Sequence, residues 1–216
     1  MTGQYQYLKR TIVSILVVND VVKEIFMGKY LLGIALLVAT LSSCTKKAEY
    51  EQWVEQELAS GERQDSLFLG IKMGMTSKDF YAHCWELNKQ GVIRQGSENM
   101  SVEYQLDDKL KHSATMNFYP NFHNNAIYEM PVTFKYTAWA PWNKELQADS
   151  LQAEVLQLMQ GWYGEKFMNV THPQHGTAYV RVDGNRRISI FKKDDSRVVA
   201  MFTDLTVEDN QENTSE

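Results

Sequence analysis

Between Leu67 and Thr203 the spacing of apolar residues switches between two periods, and it does so twice in the same order. Phe80, Cys84 and Leu87 fall at i, i+4 and i+7, one face of a helix, and Tyr81 and Trp85 widen that stripe. Thr76 or Ser77 can cap this helix, Asp79 suits its positive N-terminal end, and Gly91 is placed to stop it. Three alternating, strand-like segments follow at Ser101–Leu106, Leu110–Tyr119 and Ala126–Thr137, separated by the turn-forming Asp107-Asp108 and Pro120–Asn125. Ala114, Met116 and Phe118 share one face of the second, and Val132, Phe134 and Tyr136 share one face of the third.

The helical period returns from about Asn143 to Trp162. Asn143 is a fair N-cap, Leu151, Val155, Leu158, Met159 and Trp162 form the stripe, and Gly161 and Gly164 frame the exit. A glycine-bearing loop reaches Gly176, and three more strands are expected at Thr177–Val182, Arg187–Lys193 and Arg197–Thr203. Asp183-Gly184-Asn185 between the first two of these is a tight-hairpin signal, because these residues tolerate positive φ; Asp194-Asp195-Ser196 makes the next turn. The two halves, offset by about 65 residues, read as two α-β-β-β units. The expected fold is therefore α+β, with antiparallel meanders and both helices packed on one face.

Outside residues 67–205 the pattern changes. Residues 206–216 are acidic and polar and read as a disordered tail. Residues 44–66 are rich in Lys, Glu and Gln; Tyr50, Trp53 and Leu58 are the large apolar residues there, so the stretch reads as a tether with one helical piece around 50–59. Upstream, Met27–Cys44 places Lys29 ahead of the apolar run Tyr30–Leu41, followed by Ser42, Ser43 and Cys44. That is the layout of a secretory signal peptide. A 12-residue run would cover about 18 Å as a helix, against a hydrocarbon core of about 30 Å, so it is too short to span.

Leu41-Ser42-Ser43-Cys44 resembles the lipobox of bacterial lipoproteins. The resemblance implies that Cys44 carries lipid, that residues 1–43 are removed, and that the membrane is reached through the acylated cysteine. Residues 1–26 precede a signal that is complete without them: Met27 reads as the true start, and the alternative is a long charged n-region with Lys9, Arg10 and Lys23. Thr45, rather than Asp, after the cysteine implies the outer membrane by the same resemblance. Lys46-Lys47-Ala48-Glu49 resembles the surface-export tails of Bacteroidetes lipoproteins, so a periplasmic and a cell-surface placement both stand.

Charge narrows the partners. The whole chain is −5; residues 1–43 hold Lys9, Arg10, Lys23 and Lys29 against Asp20 and Glu24, which leaves 18 basic and 25 acidic residues, or −7. That sign argues against nucleic acid as a partner. Of the two cysteines, Cys44 is assigned to lipid, so Cys84 has no intramolecular partner and the core must hold the domain without a disulfide. Hydrophobic residues at 44% make that feasible.

The run Gly70-Ile71-Lys72-Met73-Gly74-Met75-Thr76-Ser77-Lys78-Asp79-Phe80 resembles the GMT helix entry of small outer-membrane lipoproteins, such as the barrel-assembly lipoproteins of SmpA/OmlA type, and the tandem layout resembles beta-lactamase-inhibitor-protein-like folds. The resemblance spans about ten residues. It implies a binding or scaffolding role and transfers no functional residue.

Catalytic signatures are lacking: there is no phosphate-cradling glycine loop, no GxSxG and no HExxH. His172 and His175 form the close pair among five histidines, without recognisable further ligands nearby, so no metal or cofactor is expected. Cys84 lies on the apolar helix face and reads as a buried, inert thiol rather than a nucleophile beside His83. The segment Tyr136-Thr137-Ala138-Trp139-Ala140-Pro141-Trp142 sets large aromatics in a strand-to-helix loop. Tyr136, Trp139 and Trp142 could contact a ligand or partner there; equally, they could close the core where the helix docks. The expected function is non-catalytic: an envelope protein-interaction module, or alternatively a lipoprotein that binds a glycan or small molecule through these aromatics.

Overall fold

The structure, a computed structural model, describes residues 49–96, 101–172 and 176–207. The chain divides into two compact units, residues 1–49 and 50–216. Residues 1–48, which include the segment read as a signal peptide and Cys44, the histidine at 175 and the tail from residue 208 lie outside the described residues. Among the described residues, no helix is long and apolar enough to cross a membrane.

Unit 50–216 is α+β, a nine-stranded antiparallel sheet with helices packed against it. Helix α1 covers residues 49–60. Helix α2 (Ser77–Lys89) leads into β1 (Arg94–Gln95), β2 (Val102–Gln105), β3 (Ala114–Phe118), β4 (Asn121–His123) and β5 (Ala126–Tyr136). After a 3-10 turn at Lys144–Leu146, α3 (Ala148–Tyr163) leads into β6 (Met168–His172), β7 (Gly176–Asp183), β8 (Arg186–Lys192) and β9 (Arg197–Asp204). Strand order is β1-β2-β3-β5-β9-β8-β7-β6, with β4 paired to β5. The order reads alike outward from the central β5–β9 pair: each half is a helix followed by a meander whose last strand meets the other half. The repeat is thus α-β-β-β-β rather than α-β-β-β, because β1 and β6 add an outer strand to each half and β4 inserts a short hairpin.

Register fixes two faces. Met116 opposes Phe134, Phe134 opposes Val198, Ala200 opposes Ile190 and Phe202 opposes Ile188, so these residues point one way, to the front. Helices α2 and α3 both pack there: Phe80, Leu151, Val155 and Met159 are buried with them. Each such apolar side chain contributes about 1.5–3 kcal/mol on burial. Helix α2 begins as expected, with the Thr76 hydroxyl accepting from the Asp79 backbone N–H. It ends at Gly91 (φ +71°), where the N–H of Gly91 reaches Asn88 O and the N–H of Val92 reaches Leu87 O, a Schellman closure that needs left-handed backbone at Gly91. Tyr81 and Trp85 do not widen the core stripe; they are 51% and 62% exposed on the outer side of α2. Asn143 does cap, but it caps the 3-10 turn, accepting from Glu145 N–H. Trp162 faces outward at the end of α3, and Tyr163 takes the inward place.

Helix α1 covers the back. Val180 and Val182 oppose Ser189 and Arg187, which puts them on the reverse of Ile188 and Ile190. Trp53 (6% exposed) and Leu205 are buried against that valine pair, with Tyr50, Val54 and Leu58 alongside. The packed unit therefore begins before Leu67, and Leu205 lies buried within it. The hairpin Gly184-Asn185 binds this side together: Gly184 N–H donates to Glu57 Oε2, Gln64 N–H to Asn185 Oδ1, and Leu205 N–H to Asn185 O.

Candidate functional site

Two places present chemistry at the surface. The first is the expected aromatic loop, which the structure separates into three different roles. Tyr136 is the last residue of β5 and is only 1% exposed; its hydroxyl donates to Glu154 Oε1 at 2.8 Å, and burial, then that bond, pushes the phenol up. It is a core residue and offers no contact surface. Trp139 is half-buried against the front core, its Nε1–H unpartnered among the described residues, with Lys135 Nζ 6.0 Å from its ring centre. Trp142 alone projects, at 85% exposure. The loop that carries it is fixed: Gln147 Nε2 donates toward the carbonyls of Ala140, Pro141 and Asn143 at 3.1–3.3 Å, and Asn143 N–H reaches Ala140 O.

The second place is a front-face cleft of about 690 Å³ that the sequence reading missed. Its floor is made by strand ends. Asp183 opposes Arg186 and Arg181 opposes Ile188, so both arginines and the aspartate share the front face with the core. Arg181 grips Asp183 through Nε and a terminal nitrogen, each at 2.8 Å, and Arg186 adds a third bond at 3.0 Å. The Arg186 side chain is 5% exposed, bonds the Ser66 carbonyl and lies over the Tyr163 ring, yet its Nε–H has no partner among the described residues. Tyr163 in turn donates to Leu67 O at 2.7 Å, which holds the 64–69 segment as one wall; burial pushes this phenol up, with Arg186 opposing. Tyr104, Met116 and Phe68 supply apolar lining, and Lys109 and the 38%-exposed Trp162 stand at the rim, where a second cleft of about 380 Å³ shares them.

A usable signal for this cleft exists in the sequence. Arg186 has the same strand parity as Ile188 and Ile190, so a cation stands in phase with core residues. The cleft's other lining residues Lys109, Trp162 and Ser66 come from three distant segments that no local spacing connects.

The remaining expected residues have local roles. Cys84 is a free, partly buried thiol, pushed up to about 11 by burial. His83 does not approach it as a base: its Nε2 bonds the Leu69 carbonyl at 2.7 Å. Asp107 accepts from Ser113 and Gln105, and Asp194 from Ser196 and Arg197, each within its own turn. Among the described residues no group of three or more His, Cys, Asp or Glu could hold a metal ion. No family model, no curated protein and no solved structure matches the chain.

Proposed function

We propose that this protein is a cell-envelope lipoprotein, anchored through lipid on Cys44 at the outer membrane, whose folded unit acts as a non-catalytic protein-interaction module. The anchor rests on the order Lys29, apolar run, Leu41-Ser42-Ser43-Cys44. The observation that carries the interaction reading is Trp142. A tryptophan 85% exposed on a loop fixed by Gln147 leaves a large apolar surface in water with little flexibility to lose on binding. Tyr81 and Trp85, one turn apart on α2, are a further exposed aromatic pair.

The alternative, a glycan held by the loop aromatics, has less support. Stacking a sugar between rings needs more than one accessible ring, and within this loop Tyr136 is buried and Trp139 is half-buried.

The test is a tagged pull-down from detergent-solubilised membranes with wild type, Cys44→Ala and Trp142→Ala. A stoichiometric envelope protein that is recovered with wild type and depleted with both variants is the expected result. Equal recovery with Trp142→Ala would remove the loop from the account, and membrane release only on chemical extraction of Cys44→Ala would remove the lipid anchor.

A further inference from the structure

We infer that the cleft floored by Arg181, Asp183 and Arg186 binds a small organic anion: a carboxylate or phosphate carried on an apolar body. This site is separate from the Trp142 surface and does not depend on it.

Charge is the first argument. The cleft's ionic lining is Lys109, Arg181 and Arg186 against Asp183, so two positive charges remain in a chain whose net charge is −5. Asp183 cannot offset more than one of them, because both its oxygens are already occupied by the two guanidinium groups. Lys109 forms no ion pair among the described residues and stands exposed at the rim. An acidic protein with a cationic hollow favours entry of an anion there.

Arg186 also holds an unmet donor. A buried N–H without a partner costs about 1–3 kcal/mol, so the enclosed Arg186 Nε–H gains an acceptor from a ligand only as the Arg186 side chain shifts toward the cleft it lines. Stability alone does not require a triad of this kind, since buried ion clusters are commonly no better than apolar residues of similar volume. Guanidinium donors are suited to the paired oxygens of a carboxylate or phosphate.

Shape agrees with charge. A volume of about 690 Å³ falls in the range of about 300–1,000 Å³ typical of small-molecule sites. Phe68, Tyr104, Met116 and Trp162 line part of it, so about half of its wall would meet the apolar part of such a ligand while the arginine floor meets the charge. An inorganic anion alone would leave that wall unused.

The test uses the full chain in a non-ionic detergent, titrated calorimetrically with indole-3-acetate, with phenyl phosphate and with neutral indole-3-acetamide, and with detergent alone as blank. The expected result is saturable one-to-one binding of at least one anion, with the amide about tenfold weaker or more, a difference of about 1.4 kcal/mol. The stronger of the two anions identifies the head group. Lys109→Gln and Trp162→Ala, both at exposed positions, should each weaken the anion by about three- to tenfold with an unchanged circular dichroism spectrum. Trp142→Ala should leave it unchanged, which keeps this result separate from the partner test. The inference is overturned if neither anion saturates, if the amide binds as tightly as the acid, or if both rim variants bind like wild type.

Discussion

The guanidinium carbon of Arg186 stands 4.7 Å from the centre of the Tyr163 ring, so the first residue of β8 is stacked on the last residue of α3. The contact closes a circuit: Tyr163 bonds Leu67 O, Arg186 bonds Ser66 O, and Asp183 bonds Arg186. Front helix, sheet and the 64–69 segment are locked at one point. Tyr163→Phe should cost about 1–2 kcal/mol, because it strands a buried carbonyl. Arg186→Met should cost more, about 3 kcal/mol, since Asp183 loses a partner while it remains half-buried. Urea-unfolding midpoints measure both, and the order of the two losses is the informative outcome.

Helix α1 depends on one anchor. Trp53 is buried against Val180 and Val182, and Lys166 Nζ sits 4.1 Å from its ring centre. Trp53→Ala should cost about 3–5 kcal/mol. The loss should be local first, with new protease cuts between residues 49 and 66 while the sheet remains resistant. A variant cut no faster than wild type in this stretch would mean that α1 is held by something other than Trp53.

Gly184 is the tightest point of the β7–β8 hairpin. Its φ is +52°, and a Cβ there would collide with the Glu62 carbonyl, which is backbone and cannot swing aside. Gly184→Ala should lower stability by about 1–3 kcal/mol, through strain and through loosening of the Glu57 and Asn185 bonds. A thermal melt within a degree of wild type would contradict it.

Cys84 offers a pH test. Burial raises its thiol from 9.0 to about 11, so at pH 8 iodoacetamide should modify the Cys84 peptide about 100-fold more slowly in the native protein than in urea, read by mass spectrometry. The native state holds this proton more tightly than the unfolded chain. Its contribution is therefore complete below pH 9 and lost as pH rises toward 11. Tyr119, raised to about 12 chiefly by its hydrogen bond with Tyr81, adds a loss of the same sign slightly higher. Cys84→Ala should flatten the lower part of this alkaline decline.

The periodic residues made the skeleton of the fold legible. Phe80, Cys84 and Leu87, the Val155–Met159 pair and the alternation through Val132, Phe134 and Tyr136 all lie inside the elements expected for them. Strand β6 was not legible, because Asn169, Thr171 and His172 give it little apolar alternation and its order comes from pairing with β7. The helical piece expected around residues 50–59 is there as α1, but it was placed in a solvated tether; Tyr50, Trp53, Val54 and Leu58 among Glu and Gln look solvated until Val180 and Val182 are known to lack a cover. Tyr136 belongs both to the expected strand face of Val132 and Phe134 and to the aromatic segment before the helix; its parity with Phe134 decides, and it is a core residue. The cleft needed tertiary structure, since Lys109, Trp162 and Arg186 meet only when α3 docks on the sheet.

The central claim, that the domain works by contact with an envelope partner through Trp142, is tested most directly by photo-crosslinking in intact cells from a photoreactive residue at position 142, with the exposed position Glu62 as control. The expected result is one discrete adduct with an envelope protein from position 142, absent from position 62 and diminished by Cys44→Ala. No adduct from position 142, or the same adducts from both positions, would contradict it.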